Sequence, residues 1–242
     1  MNSLRPRADK AIQQFSFVDA LVVGLFDGAF DAATVASHGS VGVGCGDALD
    51  GELVLIDGAF FRCRADGVTA VEPGASIPFA EVALFEPTFT QTLSGPITEA
   101  EFEALVDALV PSHNLFYAIR VDGEFASVTV REAVRQQRPY RGLAEAVGDQ
   151  HEATIGATTG TLLGFKGPDV FQGLSVADYH LHYISSDRQI GGHSMDFELT
   201  NGTLTIEAYA NFTLRLPQTE SYLSAELDDI NADDAIRGAE SN

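Results

Sequence analysis

Lysine is nearly missing from this sequence of 242 residues. Lys10 and Lys166 are the only two, and fourteen basic residues in all face thirty-five acidic ones, for a formal charge of -21. Nucleic-acid binding rests on Lys and Arg neutralising phosphates, so this balance excludes a nucleic-acid partner. Together with abundant Asp, Glu and Ala, it reads as halophilic adaptation. At about 1 M salt the Debye length falls to about 3 Å, and repulsion across such a surface is screened. Cysteine is equally scarce: Cys45 and Cys63 are too few for a disulfide framework and lack zinc-ribbon spacing, which predicts buried free thiols. No apolar run approaches the ~18 residues of a membrane helix. The opening "MNSLRPRADKAIQQFSF" has no apolar core or cleavage site, so a cytoplasmic location is expected. The lysine shortage also bears on chemistry. A Schiff base needs a placed lysine, and the two available are expected near the N-terminus and in a glycine-rich loop.

What is present is strand pattern. An apolar share of 45% suits a globular core. Residues 52–71 read as a β-meander turning at Asp57-Gly58 and Asp66-Gly67, dipeptides that accept positive φ. "SFVDALVVG" suggests a short helix capped by Ser16, with Asp19 three residues on. "PITEAEFEALVDALVP" is the clearest helix: Thr98 and Glu101 form a capping box, and Phe102, Leu105, Val106 and Leu109 recur at helical spacing. "NLFYAIRVDGEFASVTVR" reads as two strands around Asp122-Gly123, ended by Arg131, and Asn201-Gly202 as the entry to a later strand. The polar, proline-bearing "QQRPYRGLAEAV" is the candidate boundary. These elements predict an α+β fold of two closely packed halves, residues 1–145 and 146–242, built on mixed, mostly antiparallel β-sheets with few helices. Exposed strand edges in such a fold suggest a homodimer. The glycines of "SVGVGCGDALDGE" lead into a strand, "ELVLID", rather than a helix N-terminus, which excludes a phosphate-binding loop.

Chemistry concentrates in "YHLHYISSDRQIGGHSMDFEL", which holds three of the six histidines. On a strand, His180 and His182 project to one face, with Leu181 and Tyr183 on the other. "SSDRQIGG" can reverse the chain and bring His193 beside them, Gly191 and Gly192 permitting the tight return. Three converging imidazoles suit zinc and leave positions open for substrate, although manganese, iron and copper also accept histidine. The spacing is equally compatible with histidines that are separately satisfied at a polar sheet edge. His38, His113 and His151 have no partner at ligand spacing and are expected to be structural.

With those residues quoted, the sequence resembles the α-acetolactate decarboxylase family, whose signature contains His-x-His, then D-R-x-x-GGH and DF. The likeness extends through "LVVGLFDG", "LDGELVLIDG", "YAIRVDGEFASVTVREAVRQQRPYRGL" and "GTLLGFKGPDVFQGLSVADYHLHYI". It implies zinc on His180, His182 and His193, and catalytic roles for Glu52, Arg131 and Glu240. Glu52 and Arg131 would reach the metal from the first half. Cys45 stands where the family usually has threonine, and a thiol donates a weaker hydrogen bond. The implied reaction is decarboxylation of the small molecule 2-acetolactate to acetoin and carbon dioxide through a zinc-stabilised enediolate, reprotonated by an active-site glutamate. Rival readings are another three-histidine metalloenzyme, cupin-like or a zinc hydratase, and a non-catalytic metal-stabilised binding domain. The cupin reading is weakened because "YISSDRQI" offers only Asp187 where a glutamate is usual.

The charge reading has a direct check. The melting temperature is expected to climb between about 0.1 M and about 1 M salt, as the Debye length shrinks from about 10 to about 3 Å; a salt-independent melt counts against halophily.

Overall fold

The computed structural model describes residues 4–227. In chain order it contains β1 (Ile12–Phe15), α1 (Val18–Val22), β2 (Phe30–Asp31), α2 (Ala32–Ala36), β3 (Val41–Cys45), β4 (Glu52–Ile56), β5 (Ala59–Arg64), β6 (Gly67–Ala70), β7 (Ser76–Ile77) and β8 (Phe79–Ala83). There follow β9 (Phe89–Thr98), α3 (Glu99–Leu109), β10 (Phe116–Glu132), α4 (Leu143–Ala146), β11 (His151–Ile155), β12 (Thr158–Gly167), β13 (Asp178–Ser185), β14 (Gly191–Tyr209), β15 (Phe212–Arg215) and α5 (Glu220–Leu223). A seven-stranded sheet runs β15-β1-β8-β3-β4-β5-β6, a six-stranded sheet runs β11-β10-β12-β13-β14-β9, and β2 pairs with β7. Only β1 with β15 is parallel among the strand pairings described. No helix among the described residues is long and apolar enough to cross a membrane.

Side-chain alternation sorts the core into layers. Leu53 and Leu55 of β4 pack with Ala32 and Val35 of α2, on the outer face of the first sheet. Val54 and Ile56 face the other way, joining Phe165 and Ile184 of the second sheet. The far side of that second sheet buries Phe102 and Val106 of α3 against Tyr183, Phe197 and Leu199. α3 begins as its sequence predicts, with the Thr98 and Glu101 capping box in place.

Three expectations need correction. Ser16 is not a cap: the N-cap of α1 is Phe17, without a side-chain hydrogen bond, and Ser16 itself has φ of 66°. Asp122-Gly123 is not a turn, and Asn201-Gly202 does not open a strand. Both lie inside the long strands β10 and β14, where Gly123 stands directly opposite Gly202. A Cβ on Gly123 would fall 2.4 Å from the Asn201 carbonyl, so glycine serves close approach between backbones there. Register shifts near Glu124, Phe125 and Thr129 then bend β10 as β-bulges do. β9 and β10 belong to the second sheet, and β15 belongs to the first.

Both lysines are taken up in ion pairs. Lys10 Nζ lies 2.6 Å from Glu207 Oε1, both side chains being buried. Lys166, in strand β12 rather than a loop, pairs with Asp178 and, at 3.1 Å, with Asp107.

Glu81 of β8 is another buried charge-bearing group, accepting a hydrogen bond from Ser175 Oγ at 3.0 Å. Burial pushes its carboxyl from 4.5 up to about 8. The unfolded chain releases this proton first. Stability is therefore fully present below about 4.5 and is lost as pH rises toward about 8. Glu81→Gln is expected to flatten that slope in denaturant titrations across this window; an unchanged slope would show that Glu81 does not cause it.

Candidate active site

The site forms where the two sheets face one another. On β13, Leu181 and Tyr183 point toward α3, so His180 and His182 point with Ile184 toward the first sheet. On β10, Val128 and Val130 belong to the α3 side, which turns Arg131 toward the first sheet. On β4, Glu52 shares the face of Val54 and Ile56 and looks back at the second sheet. Hydrogen-bond register completes the arrangement. His193 of β14 stands opposite His182 on one side and opposite Arg131 on the other. Arg131 thus comes from the same sheet as the histidines, whereas Glu52 comes from the facing sheet.

The connection between β13 and β14 explains how His193 arrives. Ser185 Oγ donates to Asp187 at 2.7 Å and accepts from the Ile190 N–H at 3.0 Å, and Arg188 takes the left-handed conformation at φ of 57°. Gly191 and Gly192 are not the turn. They lie in β14, where a Cβ would meet Cys63 Sγ at 2.6 Å and the Arg131 carbonyl at 2.7 Å respectively. Their role is to let neighbouring strands close around His193.

The ligand atoms of His180, His182 and His193 all lie within 4.8 Å of one another, and all three residues are buried. His182 Nδ1 lies 3.0 Å from the Leu53 carbonyl. A carbonyl only accepts, so Nδ1 carries the proton and Nε2 presents its lone pair. That Nε2 is buried without a hydrogen-bond partner, 3.8 Å from Glu52 Oε2. Burial, then the nearby His180, drive the His182 pKa well below 6.5, which keeps the ring neutral; the Leu53 contact opposes this, and Arg131 adds to it. A neutral imidazole oriented by a backbone carbonyl is a metal ligand in waiting. The three residues can hold a metal ion.

His180 and His193 open onto a pocket with apolar walls, among them Val18, Leu21, Leu49, Phe79, Leu143 and Val176, and a few further polar groups: Cys45, Glu52, Arg131 and Gln150. Cys45 is opposite Glu52 in the β3–β4 register, and both cysteines are buried and outside any disulfide. The Arg131 Nε is buried without a hydrogen-bond partner. The loop delivering Glu52 is tied down from outside, where Asp50 accepts from Arg62 at 2.9 Å and Arg64 at 3.4 Å. Glu240 lies outside the described residues. Neither lysine lines the pocket.

Sequence comparison agrees with this geometry. The family model described as Alpha-acetolactate decarboxylase matches residues 12–229. The chain is 40% identical to the α-acetolactate decarboxylase of Methylococcus capsulatus over 96% of its own length and 89% of that protein, and 39% identical to that of Bacillus subtilis over 90% and 86%. A crystal structure of α-acetolactate decarboxylase from Bacillus subtilis strain 168 superposes with a TM-score of 0.93 at 36% identity, covering 96% of this chain and all of that one. The chain belongs to the α-acetolactate decarboxylase family. It therefore belongs to a family of carboxy-lyases, with the mostly antiparallel fold of that crystal structure.

Two parts of this family member's site have no sequence signal. The Leu53 carbonyl that orients His182 is a backbone atom, and Gln150 is a polar residue in a connection, distinguishable from its neighbours only once the pocket is folded. His151, read as structural, contacts Glu132 through Nδ1 at 2.8 Å beside that connection. His38 packs on Phe15 with ring centroids 5.6 Å apart.

His182→Ala is expected to weaken divalent-metal binding, measured by equilibrium dialysis, by more than the roughly 10–100-fold that loss of an outer-shell hydrogen bond costs. Retention of affinity would show that these histidines are not the ligand set.

Proposed function

We propose that this protein decarboxylates 2-acetolactate to acetoin and carbon dioxide, using zinc held by His180, His182 and His193. The observation that carries the reading is the buried three-imidazole cluster, whose His180 and His193 line one pocket with a carboxylate and a guanidinium, in a chain of this family. Zinc suits three neutral nitrogen donors, and a three-residue set leaves a coordination position for substrate. When bound, it would supply Lewis acidity toward the oxygens of a 2-hydroxy-3-keto acid.

The chain's own residues supply the rest. Arg131 offers a guanidinium whose Nε has no protein acceptor, suited to the substrate carboxylate before it leaves. Its burial strengthens that interaction relative to water. Loss of carbon dioxide leaves an electron pair on the former carboxylate-bearing carbon, delocalised toward the neighbouring ketone. Glu52, facing the histidines from the opposite sheet, delivers the proton to that carbon and is reprotonated from solvent. Glu240, assigned a catalytic role by the resemblance, shares the proton handling in this scheme. The apolar walls limit water at the carbanionic carbon. Cys45 contributes a weak donor beside Glu52. We place the activity in the cytoplasm and in a homodimer, a reading supported by the exposed apolar side chains of Val170, Leu174 and Leu216. The buried, converging histidines speak against imidazoles satisfied separately at a sheet edge.

Purified protein in high salt, given racemic acetolactate, is expected to form acetoin well above the spontaneous rate, to lose this with a chelator and to regain it with zinc. Arg131→Gln is expected to lower kcat/KM by about 10²–10³-fold. No acetoin above background from zinc-loaded protein would reject the decarboxylase and leave a non-catalytic metal domain or another metalloenzyme.

A further inference from the structure

The pocket contains one neutral hydrogen-bonding side chain to which neither the resemblance nor the proposed chemistry gives a role. Gln150 lines it together with Arg131, Val147, His180 and His193. Its Oε1 is buried and has no hydrogen-bond partner. An amide oxygen in that condition costs free energy unless something donates to it. Its position is fixed by the surrounding backbone. The Gln150 N–H bonds the Val147 carbonyl at 3.1 Å, and β11 starts at the next residue, pairing His151 with Glu132 and Glu152 with Arg131. The hydrogen bond between His151 and Glu132 fastens the same point. The sheet that presents Arg131 therefore also holds Gln150 at the pocket wall.

The remaining polar groups of the pocket divide into those that attract acceptors and those that do not. Arg131 is a donor, and the three imidazoles provide a place for a cation, so carboxylate and ketone oxygens are provided for. A substrate hydroxyl is different, because it must donate its proton. Glu52 faces His182 and, in the proposed chemistry, holds the proton that it delivers, so it acts there as a donor. Gln150 Oε1, an amide oxygen, only accepts. We propose that Gln150 binds the hydroxyl of a 2-hydroxy acid through Oε1 and selects hydroxylated substrates over analogues lacking that group. The assignment rests on the decarboxylase reading for the substrate class and deepens it by naming the residue that reads the hydroxyl. Sites built to hydrogen-bond a polar group reject analogues lacking it because their own buried partner is left unsatisfied.

The test compares two carboxylic acids of nearly equal shape, 2-hydroxy-2-methylpropanoate and 2,2-dimethylpropanoate, titrated calorimetrically into the zinc-loaded protein. Wild type is expected to prefer the hydroxy acid. Gln150→Met, similar in length but without an acceptor, is expected to lose about tenfold or more of that preference. Gln150→Glu keeps an acceptor. It is expected to bind both acids more weakly, through repulsion, while retaining the preference. Equal affinities in wild type, a preference that persists in Gln150→Met, or one that disappears in Gln150→Glu would each overturn the assignment. A loss in Gln150→Met that is equal for both acids would mean that the amide reads the shared carboxylate, and would overturn it too. Acetoin formation by wild type is followed in parallel. Its absence, with hydroxyl selectivity intact, would reject the decarboxylase reading and leave the role of Gln150 standing.

Discussion

The hydrogen-bonded register that sets Arg131, His193 and His182 side by side across β10, β14 and β13 is the constraint on which the site depends. A strand displaced by one residue turns all its side chains to the opposite face. Here such a slip would send His193 toward α3 and bring Gly192 or Ser194 into its place. Register is fixed by buried pattern on the far face, where Leu181, Tyr183, Val128, Val130 and Phe197 pack into one core with α3. The same core that stabilises the second sheet therefore aims its polar residues. Gly191 and Gly192 admit the close packing this needs against Cys63 and the Arg131 carbonyl.

The opposing sheet completes the site with two consecutive residues of one strand. Glu52 projects its side chain into the gap, and Leu53, whose side chain is buried on the outer face with α2, offers its carbonyl to His182. A strand alternates side chains, but its carbonyls lie in the plane of the sheet, so adjacent positions can serve the same imidazole in different ways. One fixes the proton on Nδ1, and the other places a carboxyl group near Nε2. The metal-ligand reading and the acid reading are thereby tied to the same inter-sheet packing. Loss of that packing would disturb both at once.

Much of this was legible in the sequence, in proportion to how local the signal is. The capping box of α3, the turns at Asp57-Gly58 and Asp66-Gly67, and the shared face of His180 and His182 follow from rules spanning a few residues, and the structure has each of them. Asp122-Gly123 and Asn201-Gly202 carry the same local signature as a turn. They misled because a glycine pair facing across two long strands satisfies a steric demand that sequence spacing does not display. Arg131 was recognisable as a residue of interest through family likeness, whereas its sheet was not, since membership depends on pairing with the distant strands β11 and β14. Gln150 gave no signal, because an amide in a connecting segment acquires meaning only from the pocket that closes over it. Glu240 falls outside the described residues, so its place rests on resemblance.

The central claim is that three imidazoles, brought together by strand register, form one metal centre. X-ray absorption of the zinc-loaded protein measures this directly. The account requires three nitrogen neighbours at about 2.0–2.1 Å with histidine-type outer-shell scattering, completed by oxygen. A sulfur neighbour at about 2.3 Å, as Cys45 or Cys63 would provide, or fewer than three imidazoles, would contradict it.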